Sequence, residues 1–167
     1  MRNSQTAPSK RAHSLADRIL QGAQALEALT KELSDSEWKM PVAGDGRTIG
    51  VVVHHVASSY PLEIELAQLL VSGKAISEAT MEVVDQINAK HALDYAAVKK
   101  QEAIELLQQN SKAASNIVRK LTDAELENAA PVSLNANAPL TAQFFIEDHA
   151  LRHSFHHLAR IRATLKQ

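Results

Sequence analysis

Phe144-Phe145-Ile146-Glu147-Asp148-His149-Ala150-Leu151-Arg152-His153-Ser154-Phe155-His156-His157-Leu158 opens a C-terminal helical stretch that runs on to Leu165. The rest of the chain is best read outward from it. His153 and His157 stand four residues apart, so on a helix their imidazoles leave one face a turn apart. Two nitrogens held in this way make half of a metal site, and a third ligand has to come from elsewhere in the fold. At about 100° per residue, the pair shares a stripe with Ile146, Ala150 and Ile161. A second stripe carries Leu140, Phe144, Leu151, Phe155, Leu158 and Leu165. A helix apolar over so much of its circumference packs against more than one neighbour.

The preceding chain supplies those neighbours. Ser14 to Leu33 has helical spacing at Leu15, Ile19, Gly22, Leu26, Leu29 and Leu33. Ser34-Asp35-Ser36-Glu37 is a capping box leading to Trp38, which is expected to plug one end of the assembly. Pro41 and Gly44-Asp45-Gly46 mark a loop. Thr48 then caps a second helix that passes through Val51-Val52-Val53-His54-His55-Val56 to about Leu70. Three valines in a row suit a strand, but the helical period of the Leu-, Glu- and Ala-rich sequence that follows decides for a helix. Pro61 removes one backbone bond and predicts a kink near Tyr60, itself read as core.

Beyond Gly73 the pattern weakens, with Met81, Val84 and Ile87 indicating a short helix within residues 77–96. A third long helix spans Lys100 to Leu121, with Ile104, Leu107, Ala114, Ile117, Val118 and Leu121 on one stripe. Thr122-Asp123-Ala124-Glu125 repeats the earlier capping box, again followed by a Pro-containing loop and a histidine-bearing helix. The fold expected is all-α, a four-helix bundle with a long crossover through residues 73–97 between the second and third long helices.

Composition agrees. At 167 residues, with 45% hydrophobic but only 4% aromatic residues, the chain suits one domain of closely packed helices. We expect a flexible tail over residues 1–12 and one domain over 13–167. The chain has no cysteine, which excludes disulfides, thiolate ligands and a cysteine nucleophile. With 18 basic and 19 acidic residues and no block of like charge, no nucleic-acid partner is expected. No apolar run has the length of a membrane span and the N-terminus has no signal-peptide core, so no membrane partner and a cytoplasmic location are expected.

If Ile49, Val52, Val53, Val56 and Tyr60 form the core face of the second helix, His55 sits on its rim and His54 points away. His55 is therefore the candidate third ligand, and His54 is expected to face solvent or to stand behind a ligand. Three histidines leave a zinc-like ion an open position, the mark of catalytic rather than structural sites. Spacing alone leaves ordinary surface histidines as an open alternative. A zincin protease is excluded, because Ser154 stands where His-Glu-x-x-His needs its glutamate. His156 and His149 fall on the outer face and read as surface residues. Glu147 and Asp148 precede the ligands by about a turn and read as helix solvation, or as groups orienting an imidazole. Asn88 and His91 on the crossover are placed at the mouth of the site.

Thr48-Ile49-Gly50-Val51-Val52-Val53-His54-His55-Val56-Ala57-Ser58-Ser59, followed by His153-x-x-His156-His157-Leu158-Ala159-Arg160-Ile161, resembles the DinB/YfiT-like superfamily of metal-binding helical bundles. The resemblance spans residues 15–165. It implies a dimeric four-helix bundle whose divalent metal is held by His55, His153 and His157. It also implies metal-dependent chemistry on a small-molecule substrate, its known activities including transfer of low-molecular-weight thiols and hydrolysis. Zinc or nickel is the expected cofactor, with a low-molecular-weight thiol as a second. Thiol transfer ranks ahead of hydrolysis here, because no glutamate stands beside the ligands to activate water. The alternative is a non-catalytic metal-binding bundle with a structural or stress-related role.

Overall fold

Ser9 accepts hydrogen bonds from the backbone N–H groups of Arg11 and Ala12, which caps α1 (Lys10–Glu32). The computed structural model describes residues 9–166. The tail expected up to residue 12 therefore falls largely on residues 1–8, outside the described residues, while residues 10–12 belong to α1, with Ala12 fully buried. Ser9 also bonds Asp123, and its N–H donates to Leu121 O at 3.1 Å, which pins the start of α1 to a distant loop.

Four long helices form the bundle. They are α1, α3 (Ile49–Val71), α5 (Lys100–Val118) and a C-terminal helix made of α7 (Ala142–Ile146), a π-helical turn (Glu147–Leu151) and α8 (Arg152–Leu165). Two short capped turns, α2 (Asp35–Trp38) and α6 (Asp123–Glu127), both carry the capping boxes expected of them. The crossover from α3 to α5 carries α4 (Met81–Asp94), capped by Thr80. Around the bundle α3 packs on α5, α5 on α1, α1 on α8, and α8 back on α3. Among the described residues no helix is long and apolar enough to cross a membrane.

Two details hold α3 in place. Pro61 lies inside it and has no N–H to offer the carbonyl of Ala57. Asn110 on α5 supplies the missing donor, its Nδ2 lying 2.8 Å from that carbonyl. At the other end Trp38 is buried, donates from Nε1 to Val98 O at 3.0 Å, and packs closely against Gly50. A Cβ at Gly50 would meet Trp38 Cε2 at 2.6 Å, so only glycine fits there.

Three expectations needed correction. The loop before the last helix is a hairpin, β1 (Ala129–Val132) against β2 (Ala138–Thr141), with Pro131 opposite Pro139. Its tip places Ala136 and Asn137 in the left-handed region, at φ 54° and 59°. Prolines facing each other on four-residue strands hide the hairpin from any period-2 pattern. The C-terminal helix does not keep one wheel, because a π turn takes an extra residue and shifts the phase. Phe144 and Phe155, expected in the core, are 47% and 39% exposed, while Phe145 is buried. Finally, α5 ends at Val118, short of Leu121, and Ile117 lies outside the core.

Candidate metal centre

Thr48 caps α3 from the N–H of Val51 and so fixes the phase at which the helix presents His55 to the interior. Across from it, α8 presents His153 and His157, and the three histidines each offer a nitrogen within 4.8 Å of the others. Nε2 of His153 lies 3.1 Å from Nε2 of His55. The His157 ring centroid is 5.6 Å from that of His55 and 4.9 Å from that of His153. The structure thus brings together the three residues singled out in the sequence.

Burial keeps His55 and His157 neutral. Burial, reinforced by His153 and Arg47, pushes His55 down to about 2. Burial, with His153 and His156, pushes His157 down to about 3. An imidazole that resists protonation keeps a lone pair for a cation at neutral pH.

Glu63 is the residue that sequence reasoning missed. It lies on α3 two turns beyond His55, and its Oε1 is 2.7 Å from Nδ1 of His153, off the N–H axis. Its Oε2 is buried without a partner, as is Nδ1 of His157. A carboxylate behind a ligating imidazole fixes the ring and raises its basicity. The spacing from His55 to Glu63 was a usable signal, since positions eight apart return to one helix face. Three convergent imidazole nitrogens, a neighbouring carboxylate and buried polar atoms without a partner among the described residues fit a divalent cation.

His54 overturns its reading as the outward-facing member of its pair. It is buried, with Nδ1 2.9 Å from Nε2 of His91 and its ring 3.8 Å from that of Tyr95. The crossover helix α4 covers this face, which a wheel drawn on α3 alone does not include. His91, pushed down to about 4 chiefly by burial, also sits 3.4 Å from Ser58 Oγ and edge-on to His55 at 5.6 Å. With Asn88 it lines the cleft that opens on the histidines, the place expected for both. His149, read as a surface residue, stacks on Phe145 at 4.1 Å and lines the same cleft.

His156 is exposed beside His157 at the cleft rim. Glu147 is 3.8 Å from Arg18, and Asp148 is 3.2 Å from Arg152, so both carboxylates are engaged away from the three imidazoles. Ser154 is tied to Tyr60, Oγ to phenol oxygen 2.5 Å, inside the core. On the other side Asp45 holds Arg47 at 2.6 Å and Arg160 at 3.5 Å, and the Arg47 bond holds the Asp45 carboxyl down at about 2.

The cleft has a volume of about 600 Å³, within the range of small-molecule sites. A shallower depression on the outer face of α1, beside Lys10, His13 and Asp17, gathers no comparable groups.

Against known proteins, the DinB superfamily pattern matches residues 18–161. No curated protein matches the chain. Among solved structures, YfiT from Bacillus subtilis, described as a probable metal-dependent hydrolase with an unusual four-helix bundle topology, superposes with a TM-score of 0.74 at 18% identity. That match covers 99% of this chain and 92% of YfiT. The colibactin self-resistance protein ClbS, solved in complex with a dsDNA, gives a TM-score of 0.70 at 13% identity, over 93% of this chain and 95% of ClbS. ClbS overturns the exclusion of nucleic acid as a partner class. A bundle of this fold does take DNA, and a net charge of −1 says nothing about the charge of any one face. With the three histidines converging on one point and the match running through both histidine-bearing helices, the chain belongs to the DinB superfamily.

Proposed function

We propose that this protein is a metal-dependent enzyme acting on a small molecule, with His55, His153 and His157 holding one zinc or nickel ion. The observation that carries the proposal is the convergence of three imidazoles, that of His157 buried and those of His55 and His153 half-buried, at the end of a cleft of about 600 Å³. A divalent cation on three neutral ligands retains its full charge and an open position, so it supplies a Lewis acid that acidifies water or a thiol.

The chain's own residues do the rest. Glu63 stands 2.7 Å from Nδ1 of His153 through Oε1, and its second oxygen, Oε2, has no hydrogen-bond partner among the described residues. That free oxygen is a proton acceptor at the site, and its presence reverses the ranking read from sequence. Thiol transfer stood first only because no carboxylate was found near the ligands. With Glu63 in place hydrolysis ranks first, and transfer of a low-molecular-weight thiol to an electrophile second. His91 and Asn88 border the cleft from α4 and narrow the approach to the histidines.

The test is a panel of esters, amides and a halogenated nitrobenzene with added thiols, run on metal-loaded and metal-stripped protein. The hydrolytic reading expects metal-dependent turnover of an ester or amide that falls at least 100-fold in Glu63→Gln, an effect of the size general-base removal gives. Turnover only with a thiol and the nitrobenzene would transfer the assignment to the second reaction. Silence across the panel would overturn both.

A further inference from the structure

We propose that the cleft binds an amphipathic small molecule, with its polar head at the histidines and an uncharged aliphatic or aryl tail at the opposite end. The head half rests on the metal-centre reading above, whereas the tail half rests on separate residues.

Three helical strips line the cleft, and all change character in the same direction. His157 against His55 with His153 against Glu63, and Tyr95 against His54 with His91 against Ser58, show that α8 and α4 both run antiparallel to α3. Along α3 the lining passes from His55 through Ser59 to Leu62 and Leu66. Along α4 it passes from His91 and Asn88 to Val84 and Met81. Along the C-terminal helix it passes from His157 and His153 through His149 to Phe145. Buried Ile76 and Val132, neighbours in an isolated β-bridge, close the apolar end.

Charge follows the same division. Glu63 stands against His153, and the remaining rim charges, Asp148 and Arg152, pair with each other at 3.2 Å. Leu66, Ile76, Met81, Val84, Val132 and Phe145 line the apolar end, and Glu63 and Asp148 each stand about one turn nearer the histidines than Leu66 and Phe145. From His55 to Leu66 the helical rise is about 16 Å, room for a head group and a tail of six to eight carbons. Several side chains of that end remain open to water: Met81 is 61% exposed, Ile87 52% and Leu62 49%. Apolar side chains gathered around a concave site, and not scattered singly, are what a ligand tail covers.

The experiment measures binding of a hydroxamate series, from acetohydroxamate to octanohydroxamate, to zinc-loaded protein by calorimetry. In parallel, 1-butanol and 1-octanol are tested on metal-stripped protein by chemical-shift changes. The expected result is affinity rising about two- to fourfold per added methylene up to six to eight carbons, following the transfer cost of a methylene. Met81→Asp, on an exposed position outside the core, should flatten that rise while leaving acetohydroxamate unchanged. Octanol should likewise shift cleft resonances more than butanol does. If hydroxamates fail but octanol shows the chain-length effect, the tail site stands and the metal reading falls. Affinity independent of chain length in both arms, or an undiminished rise in Met81→Asp, would overturn the proposal.

Discussion

The two helices that face each other across the cleft, α3 and α4, are built in opposite ways. Twelve residues of α3 are buried, including Ile49, Val52, Tyr60 and Ile64, and its proline is compensated by Asn110 from a neighbouring helix. In α4 no residue is buried, and its firmest tie to α3 is the His54–His91–Tyr95 stack. The candidate ligand His55 and Glu63, the carboxylate that stands against His153, belong to the rigid wall, while the exposed apolar residues Met81 and Ile87 belong to the loose one. Groups that must converge within a few ångströms sit where packing fixes them, and groups that only need to cover a ligand sit where little is fixed.

Paired truncations would break this contrast most directly. Ile64→Ala on α3 removes a side chain that is 3% exposed and should cost about 2–5 kcal/mol. Ile87→Ala on α4, at 52% exposure, should stay within about 0.5 kcal/mol. Denaturant melts of the two variants would show it, and similar losses in both would remove the distinction. A smaller effect is expected where the rigid wall begins. Gly50→Ala places a Cβ 2.6 Å from Trp38 and should cost about 1–3 kcal/mol by overpacking, visible as a lower midpoint at unchanged slope.

The smallest effect concerns the loop before α3. The Asp45 carboxyl, bonded by Arg47, is held at about 2, below its ordinary value. Its folded form thus binds a proton less readily than its unfolded form, so its stabilisation is complete above about pH 4 and lost as the pH falls toward 2. Asp45→Asn should lower stability at pH 7 and flatten the acid limb between those values. An acid limb unchanged by the substitution would mean that the Arg47 bond contributes nothing.

The sequence carried the local part of this architecture. Ser34 with Glu37, Thr122 with Glu125, and Thr48 ahead of α3 each announce a helix start within a few residues, and each forms as written. His55, His153 and His157 were legible for the same reason, since helical phase alone places the last two together and the first on a rim. What escaped depended on distant partners. The burial of His54 is decided by α4, the phase of Phe144 and Phe145 by a π turn, and the hairpin by a Pro131–Pro139 pairing that no strand pattern signals. Glu63 was different: its place on the face of His55 was readable from spacing, and only attention to histidines left it out.

The central claim is that three histidines on α3 and α8 hold one cation, and metal content tests it most directly. Elemental analysis after gentle purification should give about one divalent ion per chain, retained in His156→Ala, whose ring lies at the exposed rim. His153→Ala should lose most of it, with its helical content unchanged by circular dichroism. Equal metal in the His153→Ala protein and the parent chain would contradict the account.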